Sequence, residues 1–227
     1  MAMIKCSNCG ADISDKAKKC PYCEVKLKRE NKKIILAISL VLVVILTCVG
    51  TIVGINIKKK NERKIYVQHY NECVQSFNEI KKDGENGIKL CDKLVSLTNS
   101  VWSDAVFKKP SIDTINYTFK NDEWQSYSQA LNNMYADDTV KSTISSLDDI
   151  KKKVNQKLND INDVPDELKD IYDSAKIFVG AFNDRVAFSS KASGALISYK
   201  TSYEAKKSTY SQALSKFTTN MPKEIEE

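Results

Sequence analysis

The chain lacks the side-chain combinations on which enzyme catalysis usually depends. It contains one histidine, His69, which is more readily explained as a solvated or packing residue than as a general base. Neither a Gly-x-Ser-x-Gly nor a His-Glu-x-x-His motif occurs, and there is no glycine-rich phosphate loop. Neighbouring carboxylates such as Asp137 and Asp138 would not face each other on a helix, which argues against a glycosidase pair or a calcium site. The sequence therefore predicts no catalytic residues and no enzymatic activity.

An excess of charge of one sign is also missing from most of the chain. Residues 58–227 contain 26 Lys and Arg against 25 Asp and Glu. Nucleic-acid binding depends on neutralising phosphates with an excess of basic side chains, so we expect no nucleic-acid partner for this part. Proline and glycine are scarce over the same residues, which favours long helices.

Four of the seven cysteines form two closely spaced pairs near the amino terminus. Two Cys-x-x-Cys turns offer four soft thiolates at the corners of a tetrahedron, which suits Zn²⁺. Gly10 follows the first pair and can take a positive φ, whereas Glu24 holds the equivalent place after the second at a cost of about 1 kcal/mol. Residues 1–27 are too few to bury a core, so metal binding would supply the folding free energy of a zinc ribbon. The predicted ligands are Cys6, Cys9, Cys20 and Cys23.

Two other roles for these cysteines fit less well. Disulfides need an oxidising compartment, and a thioredoxin-like redox site expects a strand and helix pattern that this short lysine-rich stretch lacks. A closed four-thiolate site also leaves no coordination position for water or substrate. We therefore expect a structural Zn²⁺ cofactor and no metal catalysis.

A basic linker, 28–33, leads into an apolar run, 34–57, that carries no charge. These 24 residues are enough to cross a hydrocarbon layer of about 30 Å. The run ends in three lysines without an Ala-x-Ala site, so we interpret it as an uncleaved transmembrane helix in contact with the lipid bilayer. Gly50 and Gly54 form a Gly-x-x-x-Gly spacing, which makes them the candidate transmembrane contact of a homodimer. The alternative is a chance occurrence, which is common in apolar segments.

Charge and cysteine chemistry together predict the orientation of this span. About 20 residues before it contain eight Lys and Arg, against five after it, and basic residues favour the cytosolic side. Reduced thiolates also require the cytosol. We therefore expect a single-pass protein of the plasma membrane with a cytosolic amino terminus and an extracytoplasmic carboxyl terminus.

Residues 1–60 resemble the front end of bacterial single-pass membrane proteins that begin with a short cytosolic zinc ribbon, including the teicoplanin-resistance-associated type. The resemblance rests on the two cysteine pairs, Gly10, Pro21 and the apolar run that follows them. Such families attach very different outer domains to the same front end. The resemblance therefore implies a binding or regulatory role in the envelope of a Gram-positive type of cell, and no particular activity.

Beyond the span, a coiled-coil type seam runs from Tyr66 to Ala105 in steps of four and three residues. The seam keeps its phase through Gly84 and Gly87, so we predict one continuous helix with both glycines facing a neighbour. In such a helix Cys73 and Cys91 lie roughly 27 Å apart and cannot bridge. The alternative, a turn at the glycines, would permit a disulfide.

Further helices are predicted after a loop at 108–122 that contains Pro110 and a β-rich piece at 115–119. One helical region covers 123–161 with a break near Asp137, another begins at Asp163, and a last one runs from Gly194 to Pro222. No convincing strands are evident. The predicted fold class is therefore mainly α: a small four-cysteine zinc ribbon, one transmembrane helix and an extracytoplasmic antiparallel helical bundle at 58–222, with an acidic tail at 223–227.

Aromatic and basic residues around the first loop are the best candidates for a partner-binding surface. The alternative is that the loop folds back and its rings seal the end of the core. The candidates are Trp102, Phe107, Lys108, Lys109, Tyr117, Phe119 and Trp124.

Two hypotheses for the function follow. The first is a non-enzymatic, membrane-anchored envelope protein with a protein partner: the cytosolic ribbon contacts a partner inside, and the outer bundle binds or senses something beyond the membrane. The alternative is a structural spacer that oligomerises in the membrane.

Overall fold

The computed structural model describes residues 2–27, 32–219 and 221–226, and side chains in all of these except 32–38. The chain divides into two compact units, Met1–Glu62 and Arg63–Glu227. Most of the predicted basic linker lies outside the described residues. We call residues 2–27 the ribbon and the part from Arg63 onward the helical unit.

The ribbon contains a short antiparallel hairpin. Strand β1, Met3–Lys5, pairs with strand β2, Asp12–Ser14, so that Ile4 lies opposite Ile13. Ile13 is buried together with two of the cysteines, and Leu27 packs against them. This core is far too small to stabilise the ribbon by burial of apolar surface.

Helix α1 covers Lys32–Phe107 without a break. The part that begins at Ser39 contains an apolar window of mean hydropathy 2.6 with none of its residues buried. Among the described residues this is the one helix long and apolar enough to cross a membrane, which is consistent with a single-pass membrane protein. The hydroxyls of Thr47 and Thr51 donate to carbonyl groups one turn earlier, at 2.8 Å each, so neither hydroxyl is left unpaired in the apolar run.

The helical unit continues with short elements and then three long helices. They are α2 (Ile115–Thr118), β3 (Phe119–Lys120), β4 (Glu123–Trp124), α3 (Tyr127–Ala136), α4 (Asp138–Asp160), a 3₁₀ turn (Asp166–Leu168), α5 (Lys169–Ser189) and α6 (Leu196–Thr219). The described residues are mainly helical, so the predicted fold class is confirmed. The expected absence of strands beyond the span is wrong, because β3 and β4 are present there among the described residues.

The region 115–124 differs from the prediction in detail. Residues 115–118 form a helical turn, and β3 and β4 form a hairpin across Asn121 and Asp122, both with positive φ. A two-residue loop of this kind matches the twist of paired strands. The following helix begins at Tyr127 and not at Glu123, because Ser126 caps it with a reciprocal bond to Gln129. Local capping chemistry therefore decides where this helix starts.

Long helices of the unit alternate in direction. On α4, Lys157 contacts Glu79 and Lys153 contacts Asp83, so α4 runs opposite to α1. Helix α6 also runs opposite to α1, since Phe217 lies at Phe77 whereas Tyr203 bonds to Asp92. Helix α5 runs parallel to α1, because Phe178 lies at Gly84 and Phe182 at Gly87. The core fills the space between these four helices.

The predicted continuity of α1 through Gly84 and Gly87 is confirmed, and so is the prediction that both glycines face a neighbour. A Cβ at Gly84 would come within 2.6 Å of the Phe178 ring, and a Cβ at Gly87 would come equally close to Phe182. Because the two glycines have no side chains, α5 can approach the backbone of α1 closely. Cys73 and Cys91 are both buried and free, as the continuous helix requires.

Gly87→Ala should therefore destabilise the protein by about 1–3 kcal/mol through overpacking, although alanine is the better helix former by about 1 kcal/mol. Gly180→Ala is the matched control, because it lies within α5 with no atom within 4 Å of an added Cβ. The control should leave stability unchanged or raise it. Denaturant unfolding of the detergent-solubilised protein, followed by circular dichroism, measures both. Equal effects of the two substitutions would contradict the close-approach argument.

Candidate metal centre and interaction surfaces

Each Cys-x-x-Cys pair folds into the same turn. In the first, the Gly10 N–H donates to the Cys6 carbonyl at 2.9 Å, and in the second the Glu24 N–H donates to the Cys20 carbonyl at 3.0 Å. Gly10 has φ +73° and Glu24 has φ +55°. The second turn therefore adopts the left-handed conformation without a glycine, as the sequence comparison of the two turns predicted.

These two turns bring all four sulfur atoms within 4.8 Å of one another. The Sγ atoms of Cys6 and Cys23 are 3.7 Å apart, and those of Cys9 and Cys20 are 3.6 Å apart. A tetrahedral site with Zn–S bonds of about 2.3 Å has sulfur–sulfur edges of about 3.8 Å, whereas a disulfide bond is about 2.05 Å long. Donor type, number and spacing thus fit a four-thiolate metal site, and the cysteines are free of disulfides.

Backbone amides near the sulfur atoms favour the thiolate form that binds a metal. The N–H of Asn8 lowers the pKa of the Cys6 thiol. The N–H of Val25, followed by the side chain of Asn8, lowers the pKa of Cys23 to about 6. Folding of the two turns therefore favours the thiolate form at these two ligands, whereas the neighbouring Cys23 thiol and burial raise the pKa of Cys9.

The ribbon also presents apolar side chains to solvent. Met3 and Ile4 are exposed on β1, and Tyr22 is exposed at the tip of the second turn. A four-thiolate site leaves no open coordination position for an outside ligand, so the ribbon presents apolar surface through outward side chains of this kind.

The predicted partner-binding residues of the helical unit do not form one cluster. Trp102 is buried, and its ring stacks on Tyr127 with centroids 5.5 Å apart and planes within 8°. Phe107, in contrast, is exposed at the end of α1, and Lys108 and Lys109 follow it on the surface. Trp102 therefore seals the end of the core, whereas the next residues of the chain remain accessible.

The remaining three predicted residues belong to α2 and the hairpin. Tyr117 is half-buried, and its carbonyl accepts a bond from Asn133 at 3.1 Å. Phe119 and Trp124 face each other across the hairpin with ring centroids 5.3 Å apart in an edge-on arrangement. These rings are largely occupied with holding the hairpin together.

Gly50 and Gly54 lie on an open face of α1. A Cβ added at either position would meet no atom within 4 Å. Thr47 and Thr51 flank them, so small side chains recur along one side of the apolar segment. This surface has the shape on which two helices can approach closely.

Sequence reasoning missed an ion pair in the helical unit, between a buried arginine and a carboxylate whose side chain is 45% exposed. Arg185 on α5 is 1% exposed, and its Nη2 donates to the Asp92 carboxylate on α1. Tyr203 on α6 donates to the same carboxylate oxygen at 3.0 Å, and its ring lies 4.6 Å from the guanidinium carbon. The sequence does contain a signal for the burial of Arg185. This residue follows Phe178 and Phe182 in steps of four and three, which is the spacing of the core face of α5.

Asp92→Ala should destabilise the protein by about 3–5 kcal/mol, because it leaves the buried guanidinium of Arg185 without its carboxylate. Asp184→Ala is the matched control, since this exposed residue of α5 pairs with Lys206 at 3.6 Å on the surface. The control should cost less than about 1 kcal/mol. Denaturant unfolding of both variants distinguishes them. A small loss for Asp92→Ala would show that water replaces the carboxylate and that the guanidinium is not effectively buried.

His69, the single histidine, is placed near the start of the helical unit. Its Nε2 lies 3.0 Å from the carbonyl oxygen of Asp163, in the turn before α5. No carboxylate of the described residues orients this ring through an observed bond. The contact ties the turn to α1, which agrees with the packing role expected from the sequence.

Comparison with known proteins identifies a family for the ribbon and for no other part of the chain. A family model of a zinc-ribbon domain matches residues 2–27, the same residues that bring the four thiols together. No curated protein and no solved structure matches the chain. An amino-terminal zinc ribbon is therefore shown by both sequence similarity and geometry.

The ribbon should hold one zinc ion per chain in the purified protein, as measured by elemental analysis. Cys9→Ser together with Cys20→Ser should abolish the zinc content, because two thiolates do not complete the tetrahedron. Cys48→Ser is the control, since this exposed cysteine lies in the apolar part of α1, away from the four thiols. Zinc retained by the double variant, or lost from the control, would contradict the assignment of the ligands.

Proposed function

We propose that this chain is a non-enzymatic single-pass protein of a bacterial plasma membrane that connects a cytosolic partner to a partner outside the cell. Residues 1–27 contact the cytosolic partner, residues 28–33 form a basic linker, and residues 34–57 span the bilayer. Residues 58–222 form an extracytoplasmic helical bundle that binds or senses the outer partner, and residues 223–227 are its acidic tail. Zn²⁺ is the structural cofactor of the ribbon.

The observation that carries this proposal is the order of modules along the chain. A four-thiolate site, an unburied apolar helix and a separate helical unit follow one another. A four-thiolate site is typical of structural zinc, which supports a role of the ribbon in contact with a partner.

Several further features support the orientation and the setting. A four-thiolate metal site requires reduced cysteines, which favours an amino terminus in the cytosol. The larger number of basic residues before the span favours the same orientation. The resemblance of residues 1–60 to bacterial proteins of the teicoplanin-resistance-associated type supports a role in the cell envelope of a Gram-positive type of cell.

A structural role is the second candidate, favoured by the open small-residue face of α1. Gly50 and Gly54 would form the contact of a homodimer, and the helical unit would act as a spacer. In that case the protein would associate chiefly with copies of itself.

Photocrosslinking in intact cells tests the proposal. A photoreactive residue replaces one exposed side chain at a time in the full-length chain, at Ile112, Ile177 or Ile197 on the helical unit. In a separate variant the photoreactive residue replaces Tyr22 on the ribbon, which samples the other side of the membrane. We expect a discrete protein captured from at least one position on the helical unit and a different one from Tyr22.

The outcomes separate the two candidate functions. Capture of the chain alone from every position would favour the spacer and refute the binding role. The same captured protein at Tyr22 and on the helical unit would refute the proposed orientation, because the two sites would then lie on one side of the membrane.

A further inference from the structure

An exposed apolar groove lies at the end of the helical unit where α1 ends and α3 and α6 begin. Its volume is about 450 Å³. We call it the terminal groove and define it by Trp102, Val106, Phe107, Tyr127, Leu196 and Ile197. Phe107 and Ile197 protrude most, with exposed fractions of 66% and 80%. Apolar side chains this exposed and this close together mark a contact surface on a folded protein.

The floor and the rim of the groove differ in burial. Trp102 forms the floor, and its ring is fixed between Tyr127 at 5.5 Å and Tyr199 at 5.8 Å. Phe107 and Ile197 on the rim lie at the end of one helix and the start of another. A partner therefore meets a preformed aromatic floor and needs to order only a few side chains, which lowers the entropy cost of binding.

The shape of the groove excludes a small enclosed ligand as the main occupant. Small-molecule sites bury most of the ligand surface, typically about 70–90%. Here the walls are themselves exposed side chains, and the groove is open along its length. A segment of another protein fits such a surface better, because its side chains can cover the exposed walls.

Lysines predominate in the chain segments that flank the groove, where Glu123 precedes α3 and Glu204 lies one turn beyond Lys200 on α6. Lys108 and Lys109 follow Phe107 directly, and Lys200 lies one turn beyond Ile197 on the same face of α6. A neighbouring cavity shares Trp102 and Tyr127 with the groove, and the one charged residue among those that line it is Lys191.

No carboxylate of the described residues lines either cavity. Asp104, on the last turns of α1, is engaged elsewhere, because its Oδ2 accepts bonds from the Thr114 hydroxyl at 2.6 Å and the Ser111 N–H at 3.1 Å. The first residues of helices α3 and α6 also line the groove. The groove is therefore apolar with a cationic border.

We infer that the terminal groove binds an acidic amphipathic segment of a partner protein, with apolar side chains on the aromatic floor and carboxylates against the lysines. This inference rests on the proposed binding role of the helical unit and gives that role a surface and a partner chemistry. A helix that lays its apolar face in a groove and its charges on the rim is a common mode of recognition. Complementary charge on the rim fixes the orientation of the segment and speeds association.

The direct test uses a defined probe and the full-length chain in nanodiscs of zwitterionic lipid. The probe is a fluorescent amphipathic peptide with leucines on one helix face and glutamates on the other, and binding is followed by anisotropy. The control peptide carries lysine in place of glutamate, and empty nanodiscs give the background. We expect the glutamate peptide to bind at least about tenfold more tightly than the lysine peptide.

Variants locate the binding surface. Phe107→Ser and Ile197→Ser should each weaken binding of the glutamate peptide about tenfold, because they remove apolar contacts near its centre. Ile177→Ser is the matched control, since Ile177 is an exposed isoleucine of α5 outside the groove. Lys108→Glu combined with Lys200→Glu should reverse the preference between the two peptides.

Three results would overturn the inference. The first is equal affinity of the chain for the two peptides. The second is an equal loss of affinity for the glutamate peptide in Ile177→Ser and Ile197→Ser. The third is binding of the chain to vesicles of anionic lipid but to neither peptide, which would make the groove a lipid contact. Crosslinking in cells separates this failure from failure of the proposed function. A discrete partner captured at Ile112 or Ile177 and retained by the groove variants would refute the groove but keep the binding role, whereas no discrete partner at any position would refute the binding role itself.

Discussion

Close approach of two parallel helices holds the helical unit together. The rings of Phe178 and Phe182 lie directly on the backbone of α1, and they can do so only because Gly84 and Gly87 have no side chains. Glycine costs helix stability, about 1 kcal/mol at each position. Burial of two complete phenylalanine rings offsets that cost, at roughly 1.5–3 kcal/mol each. The glycines that would ordinarily end a helix thus hold this one against its neighbour.

That contact also sets the position of the polar groups inside the unit. Two turns beyond Gly84 on α1, Asp92 meets the buried guanidinium of Arg185 and the hydroxyl of Tyr203. The guanidinium is buried whereas the carboxylate side chain is 45% exposed, so any register that separates them leaves the arginine buried without its partner, which is costly. Three helices therefore have one arrangement in which the arginine is paired. The apolar contact brings α1 and α5 together, and the ion pair fixes how they are aligned.

The ribbon must be stabilised in a different way from the helical unit. It has about 25 residues and a core of Ile13, Leu27 and the cysteines, which is too little apolar surface to offset the chain entropy lost on folding. Four thiolates have sulfur spacings near the edge of a zinc tetrahedron, so a bound metal would provide the missing free energy. The chain thus combines a small unit with a candidate metal site and a unit stabilised by helix packing, and it contains a helix that is apolar enough for a bilayer. Each unit exposes apolar side chains, and these are the surfaces that we propose for partner contact.

Spacing in the sequence alone determined the zinc ribbon, the apolar helix, the continuity of α1 through Gly84 and Gly87, and the mainly helical class. Each of these depends on local period or on residues a few positions apart. The exposure of the predicted aromatic surface, in contrast, depends on tertiary contacts. Packing against Tyr127 and Tyr199 buries Trp102, whereas Phe107 stays exposed five residues later. The hairpin at 119–124 and the terminal groove also required the tertiary structure. Which face of a helix is covered depends on neighbours that are distant in sequence, and no local pattern encodes the distance between them.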